Sequence, residues 1–208
     1  MINLLVIIIL YLLIFFLAEF LYYKNVKSYI TRKIVHIGGG LVTALLPWFV
    51  SFEAALTIGT VFTAILLATR QKNILKSIHE NDQGSIGAYI YPLTLTLCAL
   101  LFWNNNTLIF QGAVLILALS DGLAALIGNK VNYLEFSVNG RKTLSGSITF
   151  FIVTILILWI IVQPQNTMVS LKIIFSTLII TSSEAVFGGG WDNLFIVLSS
   201  GFLLNWLI

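Results

Sequence analysis

Long apolar runs separated by short polar joints make up nearly the whole chain. A bilayer core takes about 20 mostly apolar residues per helix, with a range of about 17–25. Eight segments meet or approach that length, at roughly 2–23, 35–50, 52–69, 84–103, 107–128, 145–163, 167–187 and 191–208. The joints alternate in character. Lys24 to Arg32, Arg70 to Gln83 and Asn129 to Lys142 are polar, whereas Pro47 to Phe52, Trp103 to Asn106 and Gln163 to Asn166 are tight. The pattern predicts an all-α, polytopic membrane helix bundle forming a single integral membrane domain over residues 1–208. In the joint after the fifth helix, Val131 to Val138 alternates in part and Asn139-Gly140 is a tight-turn pair, which predicts a short hairpin-like loop before the sixth. Met1 to Tyr23 lacks a basic leader and a small-residue cleavage site, so it reads as a retained first helix.

Composition strengthens this picture. Hydrophobic residues are 59% of the chain and charged ones 9%, against about 45–50% and about 25% in soluble domains; mean hydropathy is +1.01. A water-soluble monomer is excluded. With 11 basic and 8 acidic residues and a net charge of +3, the chain offers no nucleic-acid-binding surface. The single Cys98 excludes an intrachain disulfide. Ten of the eleven basic residues fall in alternate joints, and only Lys172 lies elsewhere, about a turn inside the seventh helix. Lys/Arg-rich loops stay on the cytoplasmic side. The expected topology is therefore eight crossings with both termini outside, in the plasma (inner) membrane, with the polar joints in the cytosol.

That topology gathers the unusual residues on one face. The even-numbered helices begin there with His36-Ile-Gly-Gly-Gly40, Gly84-Ser-Ile-Gly87, Lys142-Thr-Leu-Ser-Gly-Ser147 and Gly188-Gly-Gly-Trp-Asp192. Helix N-termini with glycine suit anions, and Arg32, Lys33, Arg141 and Lys142 stand beside them. Small residues also let membrane helices pack closely, which is the competing explanation. Asp121 lies inside the fifth helix, with Ala125 and Gly128 on its face. Glu184 lies near the end of the seventh helix, and Asp192 begins the eighth. A charge within a membrane helix normally faces a polar cavity or a partner. Carboxylates opposite cations and helix N-termini are what a Mg²⁺-nucleoside triphosphate requires. Glu19 reads as snorkelling or pairing with Lys24. Glu80 and Asp82 could reach the same site, His36 could bond phosphate or move a proton, and His79 reads as a loop residue. No phosphate-loop, nucleophile-elbow, zinc-protease or Asp-rich prenyl motif is present.

Three segments together resemble the CTP-dependent polyprenol kinase family, which includes dolichol kinase, phytol kinase and the CTP-dependent diacylglycerol kinases. They are Arg32-Lys-Ile-Val-His36; Asp121-Gly-Leu-Ala-Ala-Leu-Ile-Gly128 followed by Gly140-Arg-Lys-Thr-Leu-Ser-Gly-Ser147; and Glu184 with Trp191-Asp-Asn193. The chain departs from the family at Ser120 and Asn132, where glycine is common, and at Ala125, where a second acid is common. The resemblance implies transfer of the γ-phosphoryl of CTP to a lipid alcohol. Asp121, Glu184 and Asp192 would hold Mg²⁺ or activate the hydroxyl, while Arg32, Lys33, Arg141 and Lys142 neutralise phosphate. Gly122, Gly128, Thr143, Ser145, Gly146 and Ser147 would contact the nucleotide, Asn193 would orient a carboxylate or touch the nucleotide, and His36 is a further catalytic candidate. A groove between helices would admit the lipid sideways. The residues themselves leave two alternatives: a cytidylyltransferase acting on a lipid phosphate, and a transporter, against which the one-sided gathering of polar groups argues.

Overall fold

A chain segment in hydrocarbon must satisfy its backbone N–H and C=O groups internally, and a helix does so. The computed structural model describes residues 2–71, 75–79, 86–136 and 142–208. Within them the apolar runs form eight helices of 17 to 25 residues: α1 (Ile2–Tyr23), α2 (Ser28–Phe49), α3 (Phe52–Gln71), α5 (Gly87–Trp103), α6 (Thr107–Val131), α7 (Leu144–Val162), α8 (Thr167–Val186) and α9 (Trp191–Leu207). A one-turn helix, α4 (Lys76–His79), was not expected. The protein is an all-α membrane bundle. Five helices, α1, α3, α6, α7 and α8, are long and apolar enough to cross a membrane by length and composition, and α5 is a shorter apolar helix.

The largest departure from expectation is α2. It begins at Ser28, about two turns before the apolar run starts, so Arg32, Lys33 and His36 lie on its helical surface and Gly38 to Gly40 lie mid-helix. Arg32 and Lys33 read as the end of a polar joint with His36 heading the next helix, but one helix carries all three where they line an interior cavity. Gly40 consequently opens no helix end. It lets α2 approach α6, since a Cβ there would collide with Ala118 and meet the Tyr91 hydroxyl at 2.5 Å.

Helix α6 is the axis of the bundle: 72% of its apolar span is buried, against 17% for α1 and 11% for α3. Around it lie α2, α7 and α9. Helix α1 covers α2, α8 packs on α7 and α9, and α3 packs on α5. The core includes Phe110, Leu117, Phe150, Leu158, Ile196 and Leu204, all fully buried. Two helices widen to π geometry, α5 over Ala99–Trp103 and α6 over Ile116–Asp121. Such bulges collect at functional sites, and the second ends on Asp121.

The expected hairpin is present as two short strands, β1 (Glu135–Phe136) and β2 (Lys142–Thr143), paired antiparallel with Phe136 opposite Lys142. The Asn139-Gly140 turn and Arg141 lie outside the described residues. At the opposite end of the bundle Lys172 places its ammonium 4.7 Å from the centroid of the Trp206 ring. This cation–π contact accommodates the one basic residue that breaks the alternation. Glu19 does not take Lys24 as its partner. Its carboxylate accepts hydrogen bonds from the Ser77 hydroxyl (2.7 Å) and backbone N–H (3.2 Å), which ties α4 to α1.

Gly40→Ala is expected to destabilise the protein by about 1–3 kcal/mol, because Ala118 has no rotamer with which to yield. Thermal unfolding in detergent checks this, and a wild-type melting curve for Gly40→Ala refutes the close α2–α6 contact.

Candidate active site

Charges at one end of the bundle fall into two groups at different depths. The deeper group joins α2 to α6. Lys33 Nζ donates to Asp121 Oδ2 at 2.6 Å, and His36 Nε2 lies 3.2 Å from the same oxygen and 3.0 Å from the Leu117 carbonyl. Both neighbours of Nε2 are acceptors, so that nitrogen carries the proton. The His36 ring lies against Tyr91, centroids 4.1 Å apart, and the Tyr91 hydroxyl donates to the His36 carbonyl at 2.7 Å. Spacing places Lys33 and His36 on neighbouring turns of one helix face, and the π-turn ends where Asp121 meets them.

The outer group surrounds Lys142, which β2 delivers from the hairpin. Its Nζ donates to Glu184 Oε1 at 2.7 Å and Asp192 Oδ2 at 3.0 Å, and Ser147 Oγ donates to Glu184 Oε2 at 3.3 Å. Burial acts to lower the Lys142 pKa, but Asp192, Glu184 and Asp121 together outweigh it and hold the ammonium above its ordinary range. Lys142 thus bonds directly to the outer acids and feels Asp121 through its charge alone.

A cavity of about 450 Å³ connects the two groups and continues into the bundle. Its polar end is lined by Arg32, Lys33, His36, Asp121, Gly128, Lys142, Thr143, Gly146, Glu184, Asp192 and Asn193; its apolar arm reaches Tyr11, Phe15, Phe62, Leu66 and Ile78. Ala125, where the resembled family commonly has an acid, also lies on the polar wall. Gly188 to Gly190 close the outer rim. Gly190, at φ +103°, touches Gly87 of α5, and the Ile86 N–H donates to the Gly189 carbonyl at 3.1 Å. A left-handed turn in such close contact suits glycine alone.

Several expected ligands also have structural work. Gly122 is buried against Ile37 and is not on the cavity wall. The Thr143 hydroxyl caps α7 by accepting the Gly146 N–H at 3.1 Å, and Gly128 leaves room for it, since a Cβ there would lie 2.6 Å from that oxygen. Ser145 bonds back to Thr143 at 3.2 Å. The two family departures are absorbed locally. Ser120 accepts a buried hydrogen bond from Thr154 at 2.9 Å, and Asn132 ends α6 in the left-handed conformation at φ 47° that asparagine tolerates after glycine. Glu80, Asp82 and Arg141 lie outside the described residues.

The three acids expected to share one metal are therefore divided. Asp121 answers Lys33, while Glu184 and Asp192 converge on Lys142, and among the described residues no three metal-ligating side chains form one group. Magnesium bound with a nucleotide usually takes one or two carboxylates and completes its shell with phosphate and water. The Glu184 and Asp192 pair fits that requirement.

The fold and this cavity define a multi-pass membrane protein with a charged site built over an apolar chamber. The chain is 32% identical over 184 residues to a phytol kinase from Synechocystis sp., covering 85% of this chain and 78% of that protein. It is 30% identical over 132 residues to a probable chloroplastic phytol kinase 3 from Glycine max, covering 57% of this chain and 41% of that one. No protein-family model and no solved structure matches it. The chain belongs to the polyprenol and phytol kinase family.

Two outcomes are expected from the charge layout. Asp121→Asn strands the Lys33 ammonium and costs about 3–5 kcal/mol, most of which Lys33→Met in the same chain restores; denaturation of the single and double variants in detergent measures the coupling. Lys142, whose pKa is raised on folding, contributes stability that is complete below its ordinary value of 10.5 and disappears as pH rises through the higher folded value. Alkaline unfolding of wild type against Lys142→Met checks the sign.

Proposed function

We propose that the protein is a lipid-alcohol kinase that transfers the γ-phosphoryl of CTP to the hydroxyl of a polyprenol, a phytol-like alcohol or a diacylglycerol at the cytosolic face. The observation that carries this reading is the continuity of one cavity from Lys142, Glu184 and Asp192, past Lys33 and Asp121, into an arm walled by Phe15, Phe62 and Leu66. A nucleotide fits the outer end and a hydrocarbon tail the inner one. Kinship with phytol kinases supports the same reaction class, and the Lys/Arg excess of the polar joints supports the cytosolic side.

In this reading the outer group binds phosphate. Lys142 exchanges its carboxylates for phosphate oxygens, and Arg32 and Lys33 add charge from α2, with Arg141 expected beside them. Glu184 and Asp192 would hold Mg²⁺, which when bound spreads charge neutralisation over the transferring phosphates. The Gly146 N–H is already committed to Thr143, so donors at the start of α7 come from its neighbours, and Asn193 faces the nucleotide end. The alcohol oxygen meets the γ-phosphorus at the boundary between the two environments, where Asp121 stands. Asp121 accepts the hydroxyl proton as the new O–P bond forms and the bond to the departing CDP breaks. His36 fixes the carboxylate through its Nε2–H. Nothing covalent is required of the protein, since phosphoryl transfer depends on positioning and charge.

Purified protein incubated with γ-labelled CTP and a panel of lipid alcohols is expected to place label in the lipid. Asp121→Asn and Lys142→Ala are each expected to lower the rate by about 100-fold or more. Label appearing in pyrophosphate, with a CDP-lipid formed from lipid phosphate, identifies a cytidylyltransferase and overturns the proposal. So does full activity in both variants.

A further inference from the structure

The walls of the cavity differ in how they are joined. Helices α2 and α6 meet at Gly40 and Ala118, with the Lys33–Asp121 ion pair alongside. Helices α3 and α5 close at Gly59, where a Cβ would collide with Thr96. Helices α5 and α9 are joined by Gly87 and Gly190 and by Asn193 donating to the Gly87 carbonyl at 3.5 Å. Helices α1 and α2 approach at Gly38 and share the Tyr11–Thr43 hydrogen bond of 2.8 Å. Each of these seams rests on close backbone approach or on a polar bond.

The seam between α1 and α3 is of another kind. Each of the two helices packs along one side only, α1 against α2 and α4, and α3 against α5. They meet through aromatic rings: Phe62 of α3 lies 4.8 Å from the ring of Tyr11, tilted by 53°, and 5.6 Å from that of Phe15, nearly parallel at 17°. All three line the cavity, and Phe15 and Phe62 are only half-buried. These rings therefore form the partition between the apolar arm and the surrounding lipid. Phe15 precedes Lys24 by nine residues and Phe62 precedes Arg70 by eight, which at 1.5 Å per residue sets both about 12–14 Å below the charged end. That depth falls within one half of a hydrocarbon layer about 30 Å thick. The partition consequently faces acyl chains rather than headgroups. Side chains reorient far more readily than packed backbones separate.

We infer that the α1–α3 seam, closed by Phe62 against Tyr11 and Phe15, is the side door through which the single hydrocarbon tail of the alcohol substrate reaches the cavity, and that these rings set the preference for tail length. This rests on the lipid-alcohol kinase reading. The occupant is a one-tailed neutral lipid, because the whole cavity, charged end included, holds only about 450 Å³ and the hydroxyls on the walls of its apolar arm are already bonded within the protein, Tyr11 to Thr43 and Thr96 to the Pro92 carbonyl.

The test uses the full chain in liposomes carrying Phe15→Cys and Phe62→Cys together. The native Cys98 is fully buried, so a cleavable bifunctional thiol reagent bridges the introduced pair. Phosphorylation is followed for a long-chain isoprenoid alcohol and for a short, water-soluble prenyl alcohol that needs no tail site. Bridging is expected to reduce the long-chain rate by about tenfold or more, to leave the short-chain rate within about twofold, and to be reversed when the bridge is cut. In parallel, Phe62→Ala is expected to flatten the dependence of KM on tail length without altering KM for CTP. A long-chain rate that survives complete bridging overturns the inference, as does an equal loss with both alcohols. If wild type phosphorylates diacylglycerol but neither isoprenoid alcohol, this inference fails and the kinase reading stands; if it phosphorylates no lipid alcohol, both fail.

Discussion

A carboxylate inside the most buried helix of a membrane bundle has to be compensated, and much of this architecture follows from Asp121. Its cost in hydrocarbon is about 2.5–3.5 kcal/mol even on the lenient insertion scales. Lys33 and His36 supply the compensation from α2. To do so α2 must carry polar side chains through its first half, which makes it a poor lipid-facing helix. The chain solves this by covering α2 with α1, a helix apolar along most of its length, through the Gly38 contact with Ile14 and the Tyr11–Thr43 bond. The order in which the helices surround α6 is thus tied to where one negative charge sits.

The second charged group repeats the logic nearer the surface. One ammonium, Lys142, holds two carboxylates, so neither Glu184 nor Asp192 faces the cavity without a counter-charge. In both groups the cation comes from a different segment than the acid, which makes each pair a tertiary clasp as well as a binding element. Under the proposed function a phosphate ligand would compete for cations already engaged and release carboxylates as it did so. That exchange would moderate affinity while leaving the geometry of the site defined beforehand.

Much of this was legible in the sequence because charge is so scarce. With so few charged residues in such an apolar chain, Asp121, Glu184, Asp192, Lys33 and Lys142 stand out, and the structure brings them to one cavity. The helix count and most boundaries follow from the lengths of the apolar runs. Other features leave no such trace. The start of α2 at Ser28 was hidden because Lys24, Lys27, Arg32 and Lys33 look like a polar joint until an interior cavity is known to receive the last two. The one-turn α4 depends on Glu19 accepting the Ser77 N–H and hydroxyl, a contact between residues far apart in the chain. The division of the acids into two groups is set by the depths at which α6, α8 and α9 place them. The aromatic partition of Tyr11, Phe15 and Phe62 has no sequence signature at all, since apolar rings are equally suited to facing lipid.

The stacked depth of the two environments also imposes a direction on traffic. Under the proposed reaction, a neutral alcohol would approach the Asp121 end from within the hydrocarbon, because beyond the aromatic partition the arm carries no charge. Once esterified to phosphate, the same molecule bears a headgroup that the apolar arm cannot solvate, and retreat by the inward path would carry that charge into lipid. The phosphorylated head would therefore leave by the charged rim, so that under the proposed reaction the cavity would behave as a valve whose sense is fixed by the chemistry it hosts.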